Sequence, residues 1–259
     1  MAPMPLFQKT NGGRCVLAFV LVAVIAGRCS AQEPIRIGYE CTEADADAFG
    51  LTCSMDDPCP VFLELAAVGT TAGRLIATGN LHTKTITLYG IVLASDDDGV
   101  TWTEPQARIR SAALEQIEFL NAQNGWITGV AVDPLARNPF VLVTSDAGRT
   151  WQQKPILEDT KYATVGQLHF DSPSHGELVL DVPQPKGIRQ ELYETQTGGE
   201  SWELKQVANT RIQLKSRSAE QNALRIRTDA PTGTYVVERG SGAAWKRVAS
   251  FVVHIADCQ

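Results

Sequence analysis

Long apolar runs, clustered histidines and Cys-x-x-Cys pairs are all missing from this 259-residue chain. Its longest unbroken apolar run, Cys15 to Ala26, has twelve residues, whereas a membrane span needs roughly 20. The four histidines, His82, His169, His175 and His254, are scattered, and no Cys-x-x-Cys pair occurs, so the usual zinc spacing is absent. There is no EF-hand loop, no Gly-x-Ser-x-Gly elbow, no P-loop and no dinucleotide glycine motif. Nothing in the chain indicates a cofactor, and no metal site is expected. Basic residues are also in short supply, 23 Lys+Arg against 29 Asp+Glu for a net charge of −6. An acidic surface repels phosphate backbones and anionic bilayers, which argues against nucleic acid as a partner. Sustained 3.6-residue periodicity is missing too, apart from Ser111 to Asn121 (SAALEQIEFLN).

What is present begins with a leader. Lys9 and Arg14 precede the apolar run, and Gly27 to Ala31 (GRCSA) supplies small residues after it. That layout is a secretory signal peptide, with cleavage expected after Ala31 and no stable membrane insertion afterwards. Loss of residues 1–31 removes Lys9, Arg14 and Arg28 and no acid, leaving 20 basic against 29 acidic residues, a net charge of −9. Four cysteines remain, Cys41, Cys53, Cys59 and Cys258. An even count in an exported chain points to two disulfides, and four cysteines allow three connectivities. Cys53 and Cys59 sit close together in a turn-like stretch, which would leave Cys41 and Cys258 to tie the two ends. The chain is thus divided into a leader (1–31), a cysteine-containing segment (32–60) and a main domain (61–259), secreted or periplasmic.

The main domain repeats. Trp102, Trp151, Trp202 and Trp245 are separated by 49, 51 and 43 residues, in similar surroundings. The first copy, ASDDDGVTW, carries Ser95, Asp97, Gly99, Thr101 and Trp102; the second, VTSDAGRTW, carries Thr144, Asp146, Gly148, Thr150 and Trp151. The third, ETQTGGESW, has Thr195, Thr197, Gly199, Ser201 and Trp202. The fourth, VERGSGAAW, keeps Gly242 and Trp245, with Gly240 where the Asp would be. Glycine supplies the positive φ of a hairpin turn, and the Asp can accept backbone N–H bonds within it. The Trp then opens an outer strand and packs between units, burying surface worth roughly 2–3 kcal/mol. Short strands precede each turn: LYGIVLAS, PFVLVTS, RQELYET and GTYVVER, with a second strand about 25 residues before the Trp, clearest in Gly125 to Gly129 (GWITG). The repeat places Ser111–Asn121 at the start of a unit, so strand is expected there rather than helix.

The motif Ser/Thr-x-Asp-x-Gly-x-Thr-Trp resembles the Asp-box, the bacterial neuraminidase repeat. With the GWITG strand it looks most like photosystem II assembly-factor-like propellers, and it is shared with sialidases and sortilin-like receptors. The resemblance covers roughly residues 61 to 245 and implies an all-β fold, a β-propeller of roughly four to five blades with Asp-box turns. Four units are expected, Val61 to Trp102, Ser111 to Trp151, Thr164 to Trp202 and Ile212 to Trp245, with IRIGYE (35–40) and SFVVHI (250–255) completing a shared blade.

A sialidase needs clustered arginines and a Tyr–Glu pair. Arg108, Arg110, Arg137, Arg189, Arg211, Arg225 and Arg227, with Tyr89, Tyr162, Tyr193 and Tyr235, are candidates, yet none stands in a matching motif and the Phe/Tyr-Arg-Ile-Pro element is absent. Asp96 to Asp98 lie in a turn, and Glu43 to Asp47 read as a flexible acidic loop. His82 and its polar neighbours Gly79 to Thr83 are placed on a channel-lining strand. No catalytic residue is assigned. The expected function is an exported, non-enzymatic scaffold that binds a protein or peptide; the alternative is a sialidase-like glycoside hydrolase or carbohydrate binder.

Overall fold

Short β-rich runs, buried on both faces in the central strands and broken by Gly, Asp and Pro turns, fold each unit into an antiparallel meander. The computed structural model describes residues 33–215 and 224–259; the expected leader lies outside the described residues, as does 216–223 within the fourth unit. The first sheet contains β1 (Cys59–Thr71), β2 (Arg74–His82), β3 (Thr87–Ser95) and β4 (Ile109–Arg110). The second contains β5 (Ala112–Phe119), β6 (Gly125–Val132), β7 (Ala136–Thr144) and β8 (Gln152–Pro155). The third contains β9 (Thr164–Phe170), β10 (Gly176–Gln184), β11 (Gly187–Thr195) and β12 (Glu203–Ala208). The fourth has β13 (Leu224–Asp229), β14 (Thr234–Ser241) and β15 (Ala244–Val252). β16 (His254–Cys258) leaves that sheet and pairs with the start of β1. Among the described residues the protein is a nearly all-β propeller, with four sheets as its blades. Ser111–Asn121 contains β5, as strand and not helix, with Ala112 and Leu114 both buried on one face.

Three hydrophobic seams join the blades. Val237, Ala249 and Phe251 of the fourth pack on Leu63, Leu65 and Leu93 of the first. Ile76 and Val92 meet Leu114, Ile127 and Leu142 of the second, and Val141 meets Val165, Leu178 and Leu180 of the third. Side-chain amides bind the backbones across two of these seams and between the third blade and the segment that follows it. Asn80 takes the Leu114 N–H on Oδ1 at 2.8 Å, and Gln116 Nε2 donates to the Val165 carbonyl at 2.7 Å. Gln167 Nε2 donates to the Ile212 carbonyl at 2.6 Å while its Oε1 accepts the Leu214 N–H at 3.0 Å. Gln116 and Gln167 each follow the bulge residue of their first strand, Glu115 and Gly166. Ile212 therefore occupies, beside the third blade, the place Val165 holds beside the second.

The turns bind as their residue types require. Asp97 accepts the Thr101 N–H and the Ser95 hydroxyl on Oδ1, both at 2.8 Å, and the Thr101 hydroxyl on Oδ2 at 2.5 Å. Asp146 repeats the pattern with Thr150 N–H at 2.9 Å, Thr144 at 2.8 Å and the Thr150 hydroxyl at 2.6 Å. In the third turn Thr197 Oγ1 accepts the Ser201 N–H at 3.0 Å, so one hydroxyl does part of a carboxylate's work. Ser95, Thr144 and Thr195 each accept the N–H of the turn glycine, Gly99, Gly148 or Gly199. A Cβ on Gly99 would come within 2.6 Å of Val248 on the preceding blade. Gly242 has open space around it, and the fourth turn has lost both its acid and its hydroxyls. Trp245 Nε1 still donates to the Gly242 carbonyl at 2.8 Å, the same bond Trp102 makes to Gly99 at 3.1 Å.

The ends are tied twice. Ile35 bridges Phe251 in parallel, and Cys41 is bonded to Cys258 across a sequence separation of 217 residues. Cys53 is bonded to Cys59. Replacing Cys41 and Cys258 by serine releases the larger loop. It should cost about 4–5 kcal/mol, against about 2 for the Cys53–Cys59 pair. Thermal unfolding should show the first variant melting roughly 10 °C or more below the wild type and the second much nearer to it.

The Asp146 carboxyl is held low, at about 2: burial pushes it up, but the bonds from Thr150, Thr144 and the Arg149 N–H outweigh that. A depressed value means the stabilisation is present above the unfolded carboxyl's 3.8 and is lost as pH falls towards about 2. Asp146→Asn should lower the melting temperature at neutral pH, and the gap from wild type should close in scans taken between those two pH values.

Candidate functional site

The charged residues proposed for a sialidase-type centre are spread over the blades. Arg225 and Arg227 pair with Glu238 on the fourth sheet, and Arg137 faces Asp133 at 3.5 Å. Arg189 and Tyr193 do come together. Both bond Glu191, at 2.5 and 2.9 Å, and Lys161 Nζ bonds the same carboxylate. β11 places all three of its residues on one face by period-two alternation, and Lys161 enters from the segment before β9. Glu191 and Tyr193 are buried, 2% and 5% exposed, whereas Lys161 and Arg189 are only half-buried and reach solvent. Burial pushes the Tyr193 phenol up, while burial of Glu191 is outweighed by its three donors, which hold its carboxyl down. The phenol donates its hydrogen bond to Glu191, the Tyr–Glu pairing a sialidase-type centre requires, while Arg189 is bound to the same carboxylate.

A second group faces the inner strands. Glu115 occupies the β5 bulge, Glu64 lies on β1 and Asp181 on β10. Burial first, then the Glu64 and Asp181 carboxylates, push the Glu115 carboxyl up. Asn80 Nδ2 donates to Glu64 at 3.3 Å and Gln190 Nε2 to Asp181 at 2.7 Å. Gly166, the bulge residue of β9, leaves the space that the Asp181 carboxylate fills, 2.5 Å from where a Cβ would sit. Sequence reasoning missed these three acids because each stands alone in the chain; a strand bulge recurring in register is what gathers them. No group of three or more potential metal ligands occurs among the described residues.

The third group surrounds the segment before the first blade. Glu43–Asp47 is not a flexible loop but part of α1 (Glu43–Phe49), because Thr42 and Asp45 form a reciprocal capping box and Gly50 closes the helix in the left-handed region. Asp45 also accepts the Tyr89 hydroxyl at 2.5 Å. Burial and that bond push the Tyr89 phenol up to about 12, and burial with the Asp45 charge pushes Tyr39 up as well. Tyr39, Tyr89 and Phe49 meet edge to face, with centroids 6.2 and 5.4 Å apart. Arg108 lies over Tyr39 at 5.7 Å and Arg110 over Phe49 at 5.1 Å. A wide, shallow depression of about 550 Å³ lies beside Tyr39, Tyr89 and Arg108. A cavity of about 400 Å³ opens beside Phe49 and Arg110.

Gly79 to Thr83, expected on a channel-lining strand, belong to the second strand of their blade and its exit. There Asn80 spans a seam, and His82 Nδ1 pairs with the Thr83 carbonyl at 2.7 Å. His175 meets Asp171 at 2.7 Å and Glu194 at 3.4 Å, and His169 lies 3.5 Å from Glu118.

No family model and no curated protein matches the chain. Among solved structures it is similar to YCF48 bound to D1 peptide, at 18% identity and a TM-score of 0.42, over 73% of this chain and 54% of that one. It is also similar to the Penicillium chrysogenum alpha-L-arabinanase complexed with arabinobiose, at 15% identity and a TM-score of 0.38, over 76% and 62% of the two chains. The GH74 xyloglucanase from Xanthomonas campestris shows 14% identity and a TM-score of 0.37, over 71% of this chain and 29% of that one. The chain thus aligns with less than two thirds of each of these longer proteins.

Removing one partner of a buried charge pair strands the other. Glu191→Ala leaves Lys161 and Arg189 without their carboxylate, but both reach solvent, so it should destabilise the fold by about 1–3 kcal/mol in urea unfolding. Glu200→Ala breaks the exposed pair with Lys154 and should change stability by less than about 1 kcal/mol.

Proposed function

We propose that this chain is an exported, non-enzymatic propeller scaffold, its turns being Asp-boxes, and that it binds a protein or peptide partner at the cleft beside α1. The observation that carries this reading is the cleft's lining. A shallow depression of about 550 Å³ and a cavity of about 400 Å³ are walled by three aromatic rings and two arginines. Tyr and Arg are the side chains that dominate protein–protein binding energy. The segment that forms one wall is locked to the last strand through Cys41 and Cys258, so the cleft is organised before a partner arrives. Two disulfides favour an oxidising compartment, which fits the leader expected at residues 1–31. The acid excess keeps nucleic acid out of the partner list.

The direct measurement is binding of the purified chain from Gln32 onward to an array of immobilised peptides. A subset should bind, and Tyr89→Ala should weaken that subset by about tenfold or more, the size of one lost anchor. Absence of any bound peptide would end this reading.

Glu115 favours a second one. A carboxyl pushed up by burial and by two neighbouring acids is the pattern of a general acid, and glycosidases pair such a group with a second carboxylate. Turnover of a fluorogenic glycoside, a sialoside included, that disappears in Glu115→Gln would replace the scaffold with a compact hydrolase.

A further inference from the structure

The smaller cavity beside α1 has a chemistry of its own. Arg110 lies on β4, directly opposite Tyr89 of β3, and its charge reaches the Tyr89 phenol. Its neighbour Arg108 is committed, giving Nε and Nη2 to the two oxygens of Glu104 at 2.8 and 2.7 Å and Nη2 to the Gly38 carbonyl at 2.6 Å. Arg110 is exposed and forms no ion pair among the described residues; what positions it is the Phe49 ring, 5.1 Å away. A planar guanidinium held by an aromatic face with its fork unoccupied is suited to a carboxylate or a phosphate.

The rest of the lining chooses between these. Ile86 and Val132 add apolar wall next to Phe49, and Thr87 and Ser111 bring hydroxyls. Asp133 is the one acid of the lining, and it is turned to Arg137 at 3.5 Å. With Asp133 paired to Arg137, Arg110 leaves one positive charge, which balances a monoanion and leaves a dianionic phosphate in excess. A space of about 400 Å³ is enough for a compact ligand body.

We infer that this cavity binds a monocarboxylate with a compact apolar body, the carboxylate on Arg110 and the apolar part against Phe49, Ile86 and Val132. The acid can be a free organic molecule or a glutamate of a bound polypeptide; both present the same chemistry. The inference deepens the cleft reading by naming what one half of the cleft recognises.

The test is calorimetric titration of the chain from Gln32 onward with phenylacetate, phenylacetamide and inorganic phosphate. A blocked pentapeptide with one central glutamate, and its glutamine counterpart, form the second arm. Phenylacetate or the glutamate peptide should bind about tenfold or more tightly than its uncharged counterpart, with phosphate weaker than either. Arg110→Ala should abolish that preference and Arg110→Lys should retain part of it, because the charge stays while the fork is lost. Arg110 is exposed, so both variants should keep the wild-type melting temperature. Preference confined to phenylacetate assigns a free acid; preference confined to the glutamate peptide assigns a partner side chain. Equal affinity for charged and uncharged probes, or a preference that survives Arg110→Ala, overturns the inference. The array measurement with Tyr89→Ala stands apart from it: peptides bound there without any dependence on Arg110 would leave the scaffold intact and remove this site alone.

Discussion

Trp126 lies flat on Phe170, centroids 3.6 Å apart and planes within 5° of parallel, and its Nε1 donates to the Gly198 carbonyl at 2.9 Å. One side chain of the second blade thus covers a ring of the third and caps that blade's turn. A four-stranded sheet has two faces and cannot stand alone in water, so every blade depends on such contacts with the next. Stacking of this kind adds about 0.5–1.5 kcal/mol beyond the area buried. The turns, the amide rungs and the disulfides all serve the same seam: they hold the sheets at the spacing that lets the side chains meet.

The fourth blade shows what happens where that demand relaxes. Its turn glycine faces open space among the described residues, and the ring of hydroxyls and carboxylate seen in the first two turns is gone. The fourth hairpin closes without that ring, since β14 and β15 still pair from Ser241 and Ala244 outwards. Polar groups elsewhere follow the same economy. Glu191 can be buried because three donors meet it, while Glu115 has two like charges nearby and is pushed towards its neutral form.

Local chemistry was legible from the residues alone. Ser95, Asp97, Gly99 and Thr101 bond one another within a few positions, so their spacing spells the turn, and four copies spell the blades. The third copy's Thr197 could be read the same way because a hydroxyl at that position still accepts. Features built by distant residues were not legible. Gln116 and Gln167 look like ordinary polar strand residues until Val165 and Ile212 are beside them. Arg110 joins Phe49 across 61 positions of chain and a helix that the acidic run of Glu43 to Asp47 disguised. Helix there is decided by Thr42, Asp45 and Gly50 at its ends, a capping pattern present in the residues but hidden under the charge count.

The Cys41–Cys258 bond makes most of the chain a covalent loop, with the blades strung along it. A loop has no end to pull: force applied at Glu40 and Gln259 is carried by the sulfur bridge, and the sheets between them feel almost none of it. A single cut in any connection between blades opens the loop without dividing it, and the two new ends stay joined through sulfur. The molecule then holds the connectivity of a circular permutant, with its new termini wherever the cut fell.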